Sequence, residues 1–293
     1  MKVASKGIII YGVISLHTLQ GGVIFSASSG QWADDSMWQG GAKPLITDQA
    51  IGGDNHIIEL NTTQESGNFL SNATLNVNNG GTLNTSGVNI GQGGAIGGVI
   101  NLYTGGTINS ANRINVNSVV ASGDAYLNMY GGTFNVTGDN GFIGTFGNGD
   151  GTGTSNFNFD SGIINAAGFL VKPDTSDNLT IVNWNSANSS GAGIDFHLTS
   201  SGINANNSEY YTDFGTSTTF NFVGSNFSIG DEITLITSDS ETLYTNHENV
   251  TINGIDGQLS VSGNDLILTV VPEPTSSALI GIASLSLIIR RKR

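Results

Sequence analysis

The chain has no cysteine among its 293 residues, which excludes disulfides and thiol nucleophiles and leaves stability to the packed core. Cations are almost as scarce. Between residues 29 and 271 only Lys43, Arg113 and Lys172 stand against 22 carboxylates, a net charge near −19. Nucleic-acid binding needs clustered Lys and Arg to neutralise phosphates, so that class of partner is excluded. Acidity on this scale favours solubility, repulsion from anionic surfaces, or divalent cations bridging to acidic polymers. Catalytic signatures are missing too. There is no Gly-x-Ser-x-Gly elbow, and His56, His197 and His247 lie far apart with no His-Glu-x-x-His spacing. Arg113 is the only cation between residues 73 and 171, in the central repeat described below, and Asp160, Asp174 and Asp177 are the densest carboxylates near it. All four read as solvated surface groups.

What the chain does have is glycine, 42 residues of it, with few helix formers, a composition that argues for an all-β fold. The middle repeats itself. Leu75-Asn76-Val77 precedes Gly80-Gly81-Thr82-Leu83-Asn84, Ile100-Asn101-Leu102 precedes Gly105-Gly106-Thr107-Ile108-Asn109, and Leu127-Asn128-Met129 precedes Gly131-Gly132-Thr133-Phe134-Asn135. A degenerate fourth copy runs from Phe157-Asn158-Phe159 to Ile164-Asn165. Each unit has a third short apolar piece: Val88-Asn89-Ile90, Ile114-Asn115-Val116, Gly141-Phe142-Ile143 and Phe169-Leu170-Val171. The steps from Asn84 to Asn109, Asn135 and Asn165 are 25, 26 and 30 residues, and such a period marks a stacked, quasi-one-dimensional fold.

Alternate side chains of a strand point to opposite faces, so Leu83 inward puts Thr82 and Asn84 outward. Stacked copies then build an inner column of Leu83, Ile108, Phe134 and Ile164. Outside stand columns of Thr82, Thr107 and Thr133, and of Asn84, Asn109 and Asn135. The expectation is a parallel β-helix with three strands of three to five residues per coil, right-handed as parallel crossovers are. Length changes at 91–98, 117–125 and 144–155 project loops from one corner. From about 179 the strict period fades, and the strands read as irregular coils closed by a hairpin over Ser262-Gly263-Asn264.

The ends carry addresses. Lys2 and Lys6, the apolar run Gly7 to Leu16 and the small residues Ser26-Ala27-Ser28 read as a secretory leader cleaved near 26–29. At the other end, Val271-Pro272-Glu273-Pro274 is followed by an uncharged run to Ile289 and then Arg290-Arg291-Lys292-Arg293. The prolines make an extended, exposed peptide suited to a processing enzyme. The run from Thr275 to Ile289 would make a helix of roughly 22 Å, a marginal span of a ~30 Å hydrocarbon core. The four terminal cations stop transfer and hold that end in the cytoplasm.

Over residues 271–293 this arrangement resembles the PEP-CTERM sorting signal. The resemblance implies an exosortase-type enzyme and the export machinery as partners. It also implies an inner-membrane intermediate held by the C-terminal helix, and a final place at the cell surface or in extracellular polysaccharide. The segment from Gly30-Gln31-Trp32 through Met37-Trp38 to Ile57-Ile58-Glu59-Leu60 resembles the entry of autotransporter-like β-helical proteins, whose aromatic residues cover the first coil.

The expected organisation is a signal peptide over 1–28, a cap and first coils over 29–72 and regular repeats over 73–178. Irregular coils and a β cap follow over 179–270, and the sorting signal with its short transmembrane helix over 271–293. Asn148, Asp150 and Thr152 in an Asn-Gly-Asp-Gly-Thr-Gly loop form a weak Ca²⁺ candidate, lacking the carboxylates of a full calcium loop; no other cofactor or metal is expected. The Thr82, Thr107, Thr133 and Asn84, Asn109, Asn135 columns offer a flat surface to glycan. The function expected is a non-enzymatic structural protein or weak glycan-binding adhesin, the alternative being a β-helical polysaccharide lyase or glycosidase.

Overall fold

A computed structural model describes residues 21–92, 97–119, 123–136, 138, 141–145, 153–171, 179–199, 212–215, 218–224, 226–239 and 244–272. These residues are all-β, and every strand pairing except those of a C-terminal hairpin is parallel. The strands fall into three columns. The first holds Ile57–Leu60, Thr74–Val77, Val99–Leu102, the start of Ala125–Val136, the start of Ser155–Ala166, Thr180–Trp184, Thr218–Phe222 and Thr251–Asn253, each paired with the next. The second runs from Thr63–Ser71 through Thr107–Ser110 to Asp195–Leu198 and Glu232–Ser238. The third begins at Val23–Phe25 and Gln49–Gly52 and reaches Tyr244–Thr245.

The register puts like residues in line. Leu83 stands opposite Ile108, Ile108 opposite Phe134, and Phe134 opposite Ile164, all fully buried. The inner column expected from the repeat is therefore present. In the C-terminal half aromatic rings replace its aliphatics. Phe159, Phe169, Trp184, Phe196 and Phe214 meet at centroid distances between 5.1 and 6.4 Å, mostly edge-on, the geometry that ring quadrupoles favour.

The Gly-Gly doublets turn the corners, and their two glycines serve different needs. Gly80 adopts φ +82° and Gly105 φ +79°, left-handed conformations that cost other residues strain. At Gly81 a Cβ would sit 2.0 Å from the Leu60 carbonyl oxygen of the preceding coil, so the second glycine provides the space for close stacking.

Three details differ from the expectation. Strands are longer than three to five residues where pairing continues around a corner, as in Thr82–Gln92 and Ala125–Val136. Ile143, not Gly141, stands opposite Ile114, a two-residue shift that keeps the inward parity. The columns also outlast the strict repeat, because the strands after 179 stack in register on those before them as far as Asn253.

Both ends are covered. Trp32 and Trp38 pack edge-on at 4.9 Å, Trp32 lies 5.3 Å from Phe69, and the Trp38 indole donates to the Trp32 carbonyl at 2.9 Å. Gln39 N–H donates to the Phe25 carbonyl at 2.8 Å, which occupies the outer edge of the first strand. At the far end, Gly257–Ser262 and Asp265–Val270 form an antiparallel hairpin that closes the second column against Glu232–Ser238. An open coil would expose unpaired strand groups to association.

Residues 1–20 of the expected leader and 273–293 of the expected tail lie outside the described residues. Those between 21 and 28 are part of the first coil. Val23–Phe25 pairs with Gln49–Ile51, and the Ser26 hydroxyl lies 2.7 Å from His56 Nδ1 and accepts the Gly53 N–H at 2.7 Å. A cut at 26–29 would remove a built strand. Among the described residues no helix is long and apolar enough to cross a membrane.

Candidate functional site: amide ladders on the outer faces

The same parity that buries Leu83 and Ile108 turns one asparagine per strand outward, and stacking brings these amides within hydrogen-bonding reach. On the second column Asn109 Nδ2 donates to Asn84 Oδ1, Asn135 to Asn109, and Asn165 to Asn135, each at 2.9 Å. Thr82, Thr107 and Thr133 stand in register beside them. All six expected ladder residues are thus brought together on one face, half-buried. Glu65 precedes Asn84 in this file, and His197 follows Asn165.

The first column carries a longer ladder. Asn76 donates to Glu59 Oε1 at 2.7 Å, Asn101 to Asn76 at 2.8 Å, Asn128 to Asn101 at 2.7 Å and Asn158 to Asn128 at 2.6 Å. It continues through Asn183 at 2.5 Å and Asn221 at 2.7 Å to Asn253 at 3.0 Å. Every amide donates toward the N-terminal coil, and the series ends on a carboxylate, a charged acceptor that strengthens the last bond. Asn78 donates to the second oxygen of Glu59, also at 2.7 Å. The repeat revealed the first four of these asparagines. It missed Asn183, Asn221 and Asn253, although each sits in the same apolar-Asn setting, because longer connections separate them.

At the corner beyond this ladder Tyr103 and Tyr130 stack at 5.3 Å with an interplanar angle of 22°. Burial, and then the charges of Tyr103 and Asp160, push the Tyr130 phenol up. Asp160 accepts from Asn185 at 2.6 Å. Tyr126, on the flat of the same face, is also raised, by burial and then by Asp124.

Of the catalytic candidates, Arg113 and Asp160 are among the described residues. Arg113 borders a recess of about 400 Å³ shared with Asn68, Asn89 and Asn112, and no acidic residue lines it among the described residues. Asp160 lies in the first column's corner, and Asp174 and Asp177 fall outside the described residues, as do the Ca²⁺ candidates Asn148, Asp150 and Thr152. Among the described residues no group of three or more His, Asp or Glu is placed to hold a metal ion. His197 pairs with Asp239 at 2.9 Å, and His247 with Glu248 at 3.4 Å. Of the terminal motifs only Pro272 is described. Glu273, Pro274, Arg290, Arg291, Lys292 and Arg293 are not.

No protein-family model, no curated protein and no solved structure matches this chain.

Proposed function

We propose that the chain is an exported, non-enzymatic structural protein of the cell surface or extracellular matrix. Its body is a right-handed parallel β-solenoid, and a C-terminal signal of the PEP-CTERM kind, cut by an exosortase-type enzyme, delivers it there. In this reading a leader starts export, the apolar run after Pro274 holds a membrane intermediate, and the four terminal cations keep the end cytoplasmic.

The observation that carries the reading is where the cap lies relative to the box. Asp265–Val270 is the last strand among the described residues, Val271 N–H donates to the Asp256 carbonyl at 2.9 Å, and the Pro272-Glu273-Pro274 box begins at the next residue. The processing box therefore follows the cap directly. The absence of cysteine, the acidic body and the outward ladders suit a rod that meets water and polymer rather than a small substrate.

The test is the intact mass of the protein recovered from the surface or medium of an exosortase-bearing Gram-negative host. The reading expects loss of the apolar run and basic end, with a C-terminus near Pro272–Pro274, and retention in the envelope after replacement of Pro272, Glu273 and Pro274 by alanine. A chain recovered from the cytoplasm with both ends intact would overturn it.

A further inference from the structure

On the reading of the chain as an exported surface protein, we propose that the outer face of the first column, from Thr74 to Asn253, is a binding site for an uncharged, extended polysaccharide laid along the stack. The first ground is charge. In a body near −19, the amide file and the file beside it carry no charge between those limits, and the carboxylates that border them are Asp124, 3.4 Å from the Tyr126 hydroxyl, and Asp160, at the corner beside Tyr130. The second column is different, with Glu65, Asp195 and His197 in its outward files. An acidic polymer is repelled by the body as a whole and by Asp124 and Asp160 at the borders, whereas a neutral one meets two uncharged files.

The second ground is hydrogen-bonding capacity. A side-chain amide has two N–H donors and an oxygen with two lone pairs. In the ladder each internal asparagine spends one N–H on the coil before it and one lone pair on the coil after it. The ladder leaves one donor and one acceptor per rung uncommitted, about 4.8 Å apart along the stack, on side chains that are half-buried apart from the more deeply set Asn128. That interval approximates one pyranose ring of an extended chain, so successive rungs can meet successive hydroxyl pairs.

The third ground is amphipathicity. A pyranose ring has C–H faces and hydroxyl edges, and this face pairs the two kinds of partner. Beside the amide file runs a second file in which Val99, Tyr126 and Ile181 are half-buried, leaving apolar surface for the C–H faces. At the edge Tyr130, 42% exposed, adds ring area and a hydroxyl beside Tyr103. Aromatic residues bury large area and keep one polar atom, the combination sugar recognition needs. The strongest part of the face is the span from Thr74 to Tyr130, where the amide file, the apolar file and the tyrosine pair coincide.

The experiment is affinity electrophoresis of the full chain, purified in a non-glycosidic detergent, through native gels containing hydroxyethylcellulose, xyloglucan or alginate. At least one of the neutral polymers is expected to retard it, with alginate inert with or without Ca²⁺. Tyr126→Ala and Tyr130→Ala should each weaken retardation by about three- to tenfold, and Val99→Glu by as much or more. Thr107→Glu, on the second column, should leave it unchanged. Unchanged circular dichroism and melting temperature qualify each variant as folded. Retardation by alginate alone, equal loss in Thr107→Glu, or self-association through this face in place of polymer binding would overturn the proposal. Surface protease accessibility in cells separates the two levels. An exported chain that no neutral polymer retards sinks this inference alone, and a chain held inside the cell sinks the reading beneath it.

Discussion

Ile163 and Ile164 are neighbours in one strand and identical in chemistry, yet they face opposite environments. Ile164 is fully buried between Phe134 and Phe196 in the inner column, whereas Ile163 is 41% exposed between Thr133 and Asp195. Truncating either to alanine removes the same three carbons. For Ile164 the transfer cost, at ~0.8 kcal/mol per carbon, is about 2.5 kcal/mol, and the cavity left between two rings held by their own strands raises it to about 3–4 kcal/mol. For Ile163 no cavity forms and much of the side chain is already wet, so about 1 kcal/mol or less is expected. At about 2–4 °C per kcal/mol for a chain of this size, Ile164→Ala should lower the melting temperature by roughly 6–15 °C and Ile163→Ala by a few degrees. Urea unfolding is the assay, followed by far-ultraviolet circular dichroism and by tryptophan fluorescence. Trp32 and Trp38 report the N-terminal end and Trp184 a distant coil, so the fluorescence also shows whether the stack melts as one unit. Equal losses in the two variants, or the larger loss at Ile163, would refute the assignment of inward and outward faces.

Burial, and then the Asp265 carboxylate, raise the phenol of Tyr244, which donates to the Asn264 carbonyl at 2.9 Å. A raised folded value means the neutral form is the one stabilised. Its contribution is then whole below about pH 10 and falls above it by about 1.4 kcal/mol per pH unit, a share of the alkaline slope that Tyr244→Phe should remove from urea titrations while Tyr126 and Tyr130 keep theirs. Gly81→Ala should cost more than about 2 kcal/mol, since its Cβ would meet the Leu60 carbonyl at 2.0 Å, while Gly22→Ala, whose nearest neighbour is 3.6 Å away, should cost about 0.5 kcal/mol or less. Removing residues 1–21 should leave the thermal melt unchanged. Removing 1–28 takes away the strand Val23–Phe25 and bares the edge of Gln49–Gly52, so a lower melting temperature and aggregation are expected in light scattering. N-terminal sequencing of exported protein should accordingly find a start at or before Gly22 rather than at 26–29.

The repeat made the second column's register legible because Thr82, Thr107 and Thr133 recur beside glycine doublets whose geometry tolerates little else. Period-two alternation did the rest, placing Leu83, Ile108 and Phe134 inside. The stack beyond 179 was harder to see. There the ladder residues Asn158, Asn183, Asn221 and Asn253 are 25, 38 and 32 residues apart, since the connections vary while the strands keep register. A search for apolar-Asn-apolar triplets without a fixed period would have found Asn183 and Asn221. Ser26-Ala27-Ser28 carries two readings for a physical reason. Small residues suit a peptidase, but they also suit a tight first coil in which the Ser26 hydroxyl accepts the Gly53 N–H and meets His56. The pairing of Tyr103 with Tyr130 had no local signature, because it arises only when consecutive corners stack.

A chain without cysteine permits a direct measurement of coil stacking. Thr82 and Thr107 stand opposite one another in adjacent coils, where parallel neighbours lie about 4.8 Å apart, within the Cα separation a disulfide accepts. Thr82 and Thr133 are two coils apart, at about 9.6 Å, beyond that reach. The double variant Thr82→Cys/Thr107→Cys should oxidise to an intramolecular disulfide, seen as a loss of two mass units and of free thiols. Thr82→Cys/Thr133→Cys should stay reduced under the same conditions. Crosslinking of the second pair but not the first would contradict the stacking of the coils.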